Sequence, residues 1–257
     1  MKRYSYLYAS VFFNDFRLIY STRGIVLSQI DYGESSVVTK VYTELYGLQS
    51  YIINGVRKRK AKIKSNILQP LSMLEMGVYN RENRSLQRIK YANAINPASQ
   101  IGLDMVKGSL AIFIAEVLSR SIREQEQNQG LFSFLLQFIS DLEAEDGSVS
   151  NYHLLFMLQL TGYLGFYPAP PSSGTDCYFD KREGLFCAEV PQHGDWMDEE
   201  SSEVLQRLME ASTENISSIK LSSAQRNDLL NHLIAFYDLH LDARLNIKSH
   251  KILQTVM

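Results

Sequence analysis

Cysteine is scarce: Cys177 and Cys187 are the only two in 257 residues. A secreted disulfide scaffold of this size or smaller would use more, so both thiols are expected to be reduced and the protein cytoplasmic. No apolar run approaches the roughly 18 residues that cross a bilayer, and no membrane contact is expected. Residues 1–20 include Leu7, Val11, Phe12 and Phe13, but Asn14, Asp15 and Arg17 interrupt them too early for an export signal. Residues 1–22 read instead as a poorly ordered N-terminal extension or the product of an upstream translation start. Catalytic patterns are missing too. His153, His193, His232, His240 and His250 are scattered, with no His-x-x-x-His pair. There is no Gly-rich loop ending in Gly-Lys-Ser/Thr and no Gly-x-Ser-x-Gly elbow. The acidic pair Glu199 and Glu200, and the acids from Glu143 to Asp146, fall at or near expected helix ends and read as solvated surface. Cys177, Cys187 and His193 supply at most three of the four ligands of a structural zinc site. No catalysis, metal or cofactor is expected.

What is present is a division of charge. The net charge is only -2, but residues 1–97 hold 15 Lys and Arg against 6 Asp and Glu, whereas residues 98–257 hold 11 against 22. The first part is therefore at +9 and the second at -11. Such asymmetry points to an anion-binding module joined to an acidic one.

The hydrophobic period changes at the same place. Strand-like segments rich in Val, Ile, Tyr and Thr lie near 23–30, 35–43, 46–54, 69–78 and 85–95, separated by turn residues. Alternation is clearest in 35–43, where Val37, Thr39 and Val41 share one face. Five short strands in so few residues predict a small closed barrel, and the OB-fold is the commonest such barrel that binds oligonucleotides. Beyond Asn96 and Pro97, taken as a helix cap and first turn, the spacing becomes helical. Met105, Val106, Leu110, Phe113, Ile114, Val117 and Leu118 define one amphipathic helix. A second follows Gly130, and a third, apolar on most sides, runs from about 149 to 164. Residues 166–198 are rich in Pro and Gly and read as a loop insertion, with a short hairpin around Cys177 to Cys187. Helices resume at about 199–211 and 222–239, the last capped by Ser222 or Ser223. The predicted fold class is α+β: an N-terminal five-stranded OB-fold β-barrel over residues 23–97, then a C-terminal α-helical bundle over 98–257.

The strongest local feature is the run RKRKAKIK at residues 57–64, with cations at Arg57, Lys58, Arg59, Lys60, Lys62 and Lys64. Like charges this dense repel one another unless an anion neutralises them, and phosphate contact does so without reading sequence. Arg81, Arg84, Arg88 and Lys90 add to the same barrel. Tyr32, Tyr42, Tyr46, Tyr51, Tyr79 and Tyr91 are candidate stacking platforms for unpaired bases, each weighed against ordinary half-buried packing.

These residues also carry a family resemblance. Gly24-Ile25-Val26-Leu27, Tyr32-Gly33-Glu34, Val41-Tyr42-Thr43, Asn54-Gly55-Val56-Arg57 and Leu68-Gln69-Pro70-Leu71 resemble the barrel strands of RecO proteins. Leu160 through Pro168, then Tyr237-Asp238-Leu239-His240-Leu241 and Lys248-Ser249, are similar to the family's helical part. The likeness covers residues 23–255. It implies a non-catalytic recombination mediator at the nucleoid that binds single- and double-stranded DNA. It also implies pairing with RecR, contact with the acidic C-terminal tail of single-strand binding protein, help in loading RecA, and strand annealing. Some members carry two Cys-x-x-Cys pairs for zinc in the loop matching 166–198, and this chain does not. An acidic tail ending in an apolar residue needs a hydrophobic groove with nearby cations, for which Lys107, Arg120, Arg123, Lys248 and Lys251 are the candidates. Two other readings stay open. One is an adaptor whose basic barrel meets RNA or an acidic protein. The other is a metal-dependent nuclease, for which Asp31, Glu34, Glu44, Glu75 and Glu82 have no metal-binding spacing.

Overall fold

The computed structural model describes residues 18–59, 61–81, 84–96, 99, 101–123 and 125–256. Lys60, Glu82, Pro97 and most of the N-terminal extension lie outside the described residues. The first five strands are β1 (Tyr20–Tyr32), β2 (Ser36–Thr43), β3 (Gly47–Ile53), β4 (Met73–Tyr79) and β5 (Gln87–Ala94). They close into one barrel in the order β1-β2-β3-β5-β4. This is the five-stranded OB-fold barrel that the strand spacing predicts. β1 takes in Tyr20, Ser21 and Thr22, which the sequence pattern places in the extension.

Closure depends on β1 serving two neighbours. Its first half pairs with β4, from Tyr20 against Val78 to Ile25 against Met73. Its second half pairs with β2 as far as Tyr32 against Ser36, through a bulge between Val26 and Ser28. A bulge adds bend and twist where one strand must turn between two sheets. Gly24 sits at the crossing, where a Cβ would come within 2.6 Å of Val41 Cγ1. The barrel shuts through a short parallel pair, Tyr51 with Gln87 and Ile52 with Arg88. Val37, Thr39 and Val41 point inward as the alternation predicts, and the interior is filled by Val26, Val41, Tyr51, Leu74, Met76 and Val78.

The helices are α1 (Met105–Ser121), α2 (Gln129–Ala144), α3 (Tyr152–Leu164), α4 (Glu199–Met209), α5 (Ser223–His240) and α6 (His250–Val256). The bundle packs around α3, whose Leu154, Leu155, Phe156, Met157 and Leu158 are fully buried. Tyr237 of α5 donates to the Met157 carbonyl at 2.7 Å inside this core. His153 sits edge-on to Phe113, and burial pushes its pKa down to about 3, so it stays neutral as a core residue. Among the described residues no helix is long and apolar enough to cross a membrane.

Several details differ from expectation. α1 does not start at Asn96 and Pro97; Asp104 caps it, accepting from the Val106 and Lys107 amides at 2.8 Å each. The Asn96 side chain is used elsewhere, donating to Glu143 of α2 at 2.8 Å. Met105 leads α1 but is exposed rather than part of its apolar face. The insertion at 166–198 is more than a hairpin: β6 (Tyr178–Asp180), β7 (Leu185–Cys187) and β8 (Trp196–Met197) form a small antiparallel sheet in the order β7-β6-β8. The final helix α6 has no counterpart in the sequence pattern. Ser222 does cap α5, in a reciprocal capping box with Gln225.

The bundle docks on the outside of the barrel. Ile25, Leu27, Tyr42 and Leu71 are barrel residues that join the helical core. Tyr42 stacks at a tilt on Phe132 of α2, centroids 6.2 Å apart, and Arg23 lies over the same ring at 5.4 Å. Arg23 also grips Glu44 with two hydrogen bonds of 2.6 and 2.9 Å. Those bonds raise the arginine's pKa and hold the carboxyl below its usual range. Replacing Phe132 with Ala removes the ring beneath both residues. It is expected to lower stability by about 3–5 kcal/mol, the usual cost of emptying a buried aromatic site. Urea unfolding measures this, and a change below about 1 kcal/mol would show that the docking contributes little.

Candidate nucleic-acid interface

The basic run leaves β3 at Ile53 and forms two successive turns. Lys58 N–H bonds the Gly55 carbonyl at 3.1 Å, and Ala61 N–H bonds the Lys58 carbonyl at 2.9 Å. Gly55 takes φ 72°, a conformation glycine adopts at little cost. A short 3-10 turn, Ser65–Leu68, follows. Three apolar residues inside this loop turn inward: Val56, Ile63 and Leu68 are buried with the barrel core. The loop is therefore a plug for the barrel, and the plug fixes where its charges go. Arg57, Lys58, Arg59, Lys62 and Lys64 are all exposed.

One of these cations has an acidic partner. Arg57 pairs with Asp31 at 2.7 Å, tying the loop to the end of β1. Ser36 Oγ, donating to Asn54 Oδ1 at 3.1 Å, makes a second tie. Among the described residues Lys58, Arg59, Lys62 and Lys64 form no salt bridge. Lys60 lies outside the described residues.

The second group of cations is set by Gln87. Its buried side chain accepts from the Arg81 amide at 3.1 Å and donates to the Arg81 and Arg84 carbonyls at 2.8 Å each. This latch closes the turn between β4 and β5. Arg81, Arg84 and Arg88 then line a cleft of about 140 Å³ with Tyr79 and Leu86. The parallel pairing of β3 with β5 places Gln87 and Arg88 beside Tyr51 and Ile52, at the point where the basic loop departs. Two stretches well separated in sequence thus border one strand.

The tyrosines divide. Tyr42 and Tyr51 are each 1% exposed, one against the bundle and one in the barrel core, and neither is a platform. Tyr46 is half-buried and edge-on to Tyr20 at 6.0 Å. Tyr32 and Tyr91 are exposed. Sequence reasoning missed Gln87, the pairing of Asp31 with Arg57 and the plug; lone apolar Val56 and Ile63 within a charged run were the available signal for the plug.

The candidate tail-binding cations do not form one site. Arg120 and Arg123 line a cleft of about 330 Å³ with Tyr42, Leu131, Leu164 and Leu241. Lys107 reaches the Glu143 carbonyl at 3.0 Å instead. Lys248 and Lys251 belong to the C-terminal segment carried on α1, where Glu116 accepts from the Lys248 and Ser249 amides and from Ser249 Oγ at 2.6 Å. His193 is engaged within the small sheet, 3.1 Å from Asp180 and accepting from the Asp195 amide at 3.2 Å. Among the described residues no group of three or more His, Cys, Asp or Glu is placed to hold a metal ion. Burial pushes the Cys187 thiol pKa up.

An OB barrel with cations on its rim, followed by a helical bundle, is a two-part architecture, and both parts have counterparts in known sequences. Residues 18–98 match the family described as Recombination protein O N terminal, and residues 102–249 match Recombination protein O C terminal. A protein of Azobacteroides pseudotrichonymphae named DNA repair protein RecO is 30% identical over 93% of this chain and 99% of its own length. Proteins of the same name from Bacteroides fragilis (33%, covering 92% of this chain and 98% of the relative) and Flavobacterium psychrophilum (34%, covering 91% and 98%) are similar over comparable spans. The chain belongs to the RecO family.

Glu116 makes the C-terminal anchor testable. Burial alone would raise its pKa, but the hydrogen bonds from Ser249 and Lys248 outweigh burial and hold it below the ordinary 4.5. A depressed carboxyl stabilises the fold above its unfolded pKa and loses that contribution as pH falls through the folded value. The segment from Leu245 to α6 is therefore expected to loosen in acid. At neutral pH, Glu116→Gln should speed tryptic cleavage after Lys248 and Lys251 several-fold, read by mass. Unchanged cleavage would show that the carboxylate does not hold the segment.

Proposed function

We propose that the protein is a non-catalytic DNA-binding mediator of recombinational repair. The observation that carries this reading is the plugged loop. Val56, Ile63 and Leu68 hold it, so Lys58, Arg59, Lys62 and Lys64 stand in the open, with no acidic partner among the described residues. Fixed cations grip phosphate at little ordering cost, and the grip is independent of sequence. Arg57, Arg81, Arg84 and Arg88 extend the same track, with Arg57 exchanging Asp31 for phosphate, and Lys60 is counted with them from its place in the basic run alone. Such a site suits single and double strands alike and leaves bases free for annealing. Family membership supports assigning RecR as partner and RecA loading on coated single strands as the task. The names of the relatives support DNA repair as the setting.

Fluorescence anisotropy with labelled single-stranded DNA across a salt series tests the grip. Changing Lys58, Arg59, Lys62 and Lys64 together to Ala should weaken binding about 10–100-fold. The log–log salt slope should shrink by roughly 0.7 for each phosphate that the variant no longer neutralises. Binding and slope equal to wild type would sink the loop as the site. Binding to RNA or an acidic protein but not DNA would favour the adaptor reading.

The cleft beside Arg120 and Arg123 is the site we assign to the acidic tail of single-strand binding protein, because cations and apolar side chains meet there. Lys107, Lys248 and Lys251 are too dispersed to share it. An acidic peptide ending in Phe should bind the Arg120→Ala, Arg123→Ala double variant about ten-fold or more weakly, since charge-assisted hydrogen bonds contribute roughly 1.5–3 kcal/mol each when partly buried. Peptide binding that survives both changes places the tail elsewhere.

A further inference from the structure

We propose that Tyr91 is a base-stacking platform on the outer face of β4 and β5, and that single-stranded nucleic acid crosses the barrel there rather than over β2 and β3. This deepens the DNA-binding reading and rests on it.

The first observation is an obstruction. OB barrels that bind oligonucleotides use the face of their second and third strands together with the loops that join strands 1–2 and 4–5. Here Tyr42 of β2 stacks on Phe132, its cross-strand partner Leu48 packs into the helical core, and Lys40 reaches Ser119 of α1 at 3.4 Å. The helical bundle occupies most of that face, leaving Val38 and Ile52 at its far end.

The second observation is the construction of the opposite face. Tyr91 pairs across the ladder with Gly77. A Cβ built on Gly77 would fall onto Cε1 of Tyr91, within 2.7 Å of Cδ1 and 2.8 Å of Cζ. Near-equal approach to three consecutive ring atoms puts that position over the face of the ring. The tyrosine therefore lies flat across a bare glycine backbone, and its outer face is open: the residue is 41% exposed. A β-bulge between Gly77 and Val78 explains why it points outward. Inward-facing residues of β5 are Ile89 and Ala92, three apart instead of two, so Lys90 and Tyr91 are exposed in succession.

The surrounding charge is directional. Arg88 and Lys90 are exposed toward the start of β5 and form no salt bridge among the described residues. Glu75 and Asn93 form the outward cross-strand pair on the other side of Tyr91. A phosphate is attracted on the Arg88 side and repelled on the Glu75 side, so the base stacks on Tyr91 while its backbone runs toward Arg88 and the basic loop. Stacking of this kind needs an unpaired base and tolerates any base.

The test compares oligo-dT with an abasic deoxyribose-phosphate strand of the same length, titrated into the full chain. The expected result has three parts. Wild type binds oligo-dT more tightly than the abasic strand. Tyr91→Ala weakens oligo-dT binding about five- to fifty-fold and leaves abasic binding unchanged. Tyr91→Phe, which keeps the ring, restores wild-type affinity. Equal weakening on both strands would mean that Tyr91 acts through structure or charge, and unchanged oligo-dT binding by Tyr91→Ala would mean no base sits on it; either overturns the platform while DNA binding stands. Failure of wild type to bind either strand overturns the DNA-binding reading and the platform together. Matching thermal melts of the variants exclude misfolding as the cause of weaker binding.

Discussion

The contact on which the rest depends is the seating of the helical bundle on the barrel, with α1 packed along β1 and Phe132 of α2 laid against Tyr42 of β2. Tyr42, with a polar hydroxyl on a large ring, is 1% exposed there because Phe132 covers it. Arg23 closes the same contact from β1, with its charge spread between the Phe132 ring and the Glu44 carboxylate. Burying two aromatic rings and the neighbouring Leu48 takes apolar surface out of water and joins the barrel to the helical core. The seating has a functional consequence. Most of a face that other barrels of this topology give to ligand is taken up by architecture, and on the proposed reading the rim and the β4–β5 flank take its place.

Besides the Arg57–Asp31 pair, the rim is held by a small number of uncharged anchors. A loop with a cation at most positions gains nothing from folding onto itself, since neighbouring like charges oppose any compact arrangement. Val56, Ile63 and Leu68 supply the opposing term by entering the barrel end. On the other side Gln87, a neutral buried amide, holds Arg81 and Arg84 by their backbones. In both places apolar or neutral groups do the holding, and the charged ends of Lys58, Arg59, Lys62, Lys64 and Arg84 project from the surface.

Much of the fold was legible because it is periodic. Val37, Thr39 and Val41 alternate in sequence and in space, and the three-and-four spacing from Leu110 to Leu118 is a helix. What failed was whatever a second element decides. Tyr42 belongs to the outward set of β2 and would be half-exposed in an isolated barrel; α2 buries it. Asn96 has the chemistry of a cap, but Glu143 from a distant helix takes its side chain, and Asp104 caps α1 instead. α6 is too short for periodicity to reveal, and its segment is fixed by Glu116, far earlier in the chain. The same holds for the candidate site. The cations were visible as composition, but the meeting of the loop after β3 with the turn before β5 is a property of the parallel closure, which no local pattern encodes.

The division of charge gains meaning from this geometry. A helical half at -11 repels a phosphate backbone over about a Debye length of 8–10 Å, and it sits against β2 and β3. The basic loop and Arg88 lie where β3 hands over to β5. On the proposed reading these two fields act in the same direction: the bundle pushes a strand away from the face it already blocks, and the rim draws it to the other side. Phosphates held by rim cations leave base edges pointing outward, where a complementary strand can reach them. A protein that gripped bases in a closed groove would hold a strand more specifically but would have to release it before pairing began. On the proposed reading, an open, backbone-directed grip with a base stacked on Tyr91 permits binding and annealing at once.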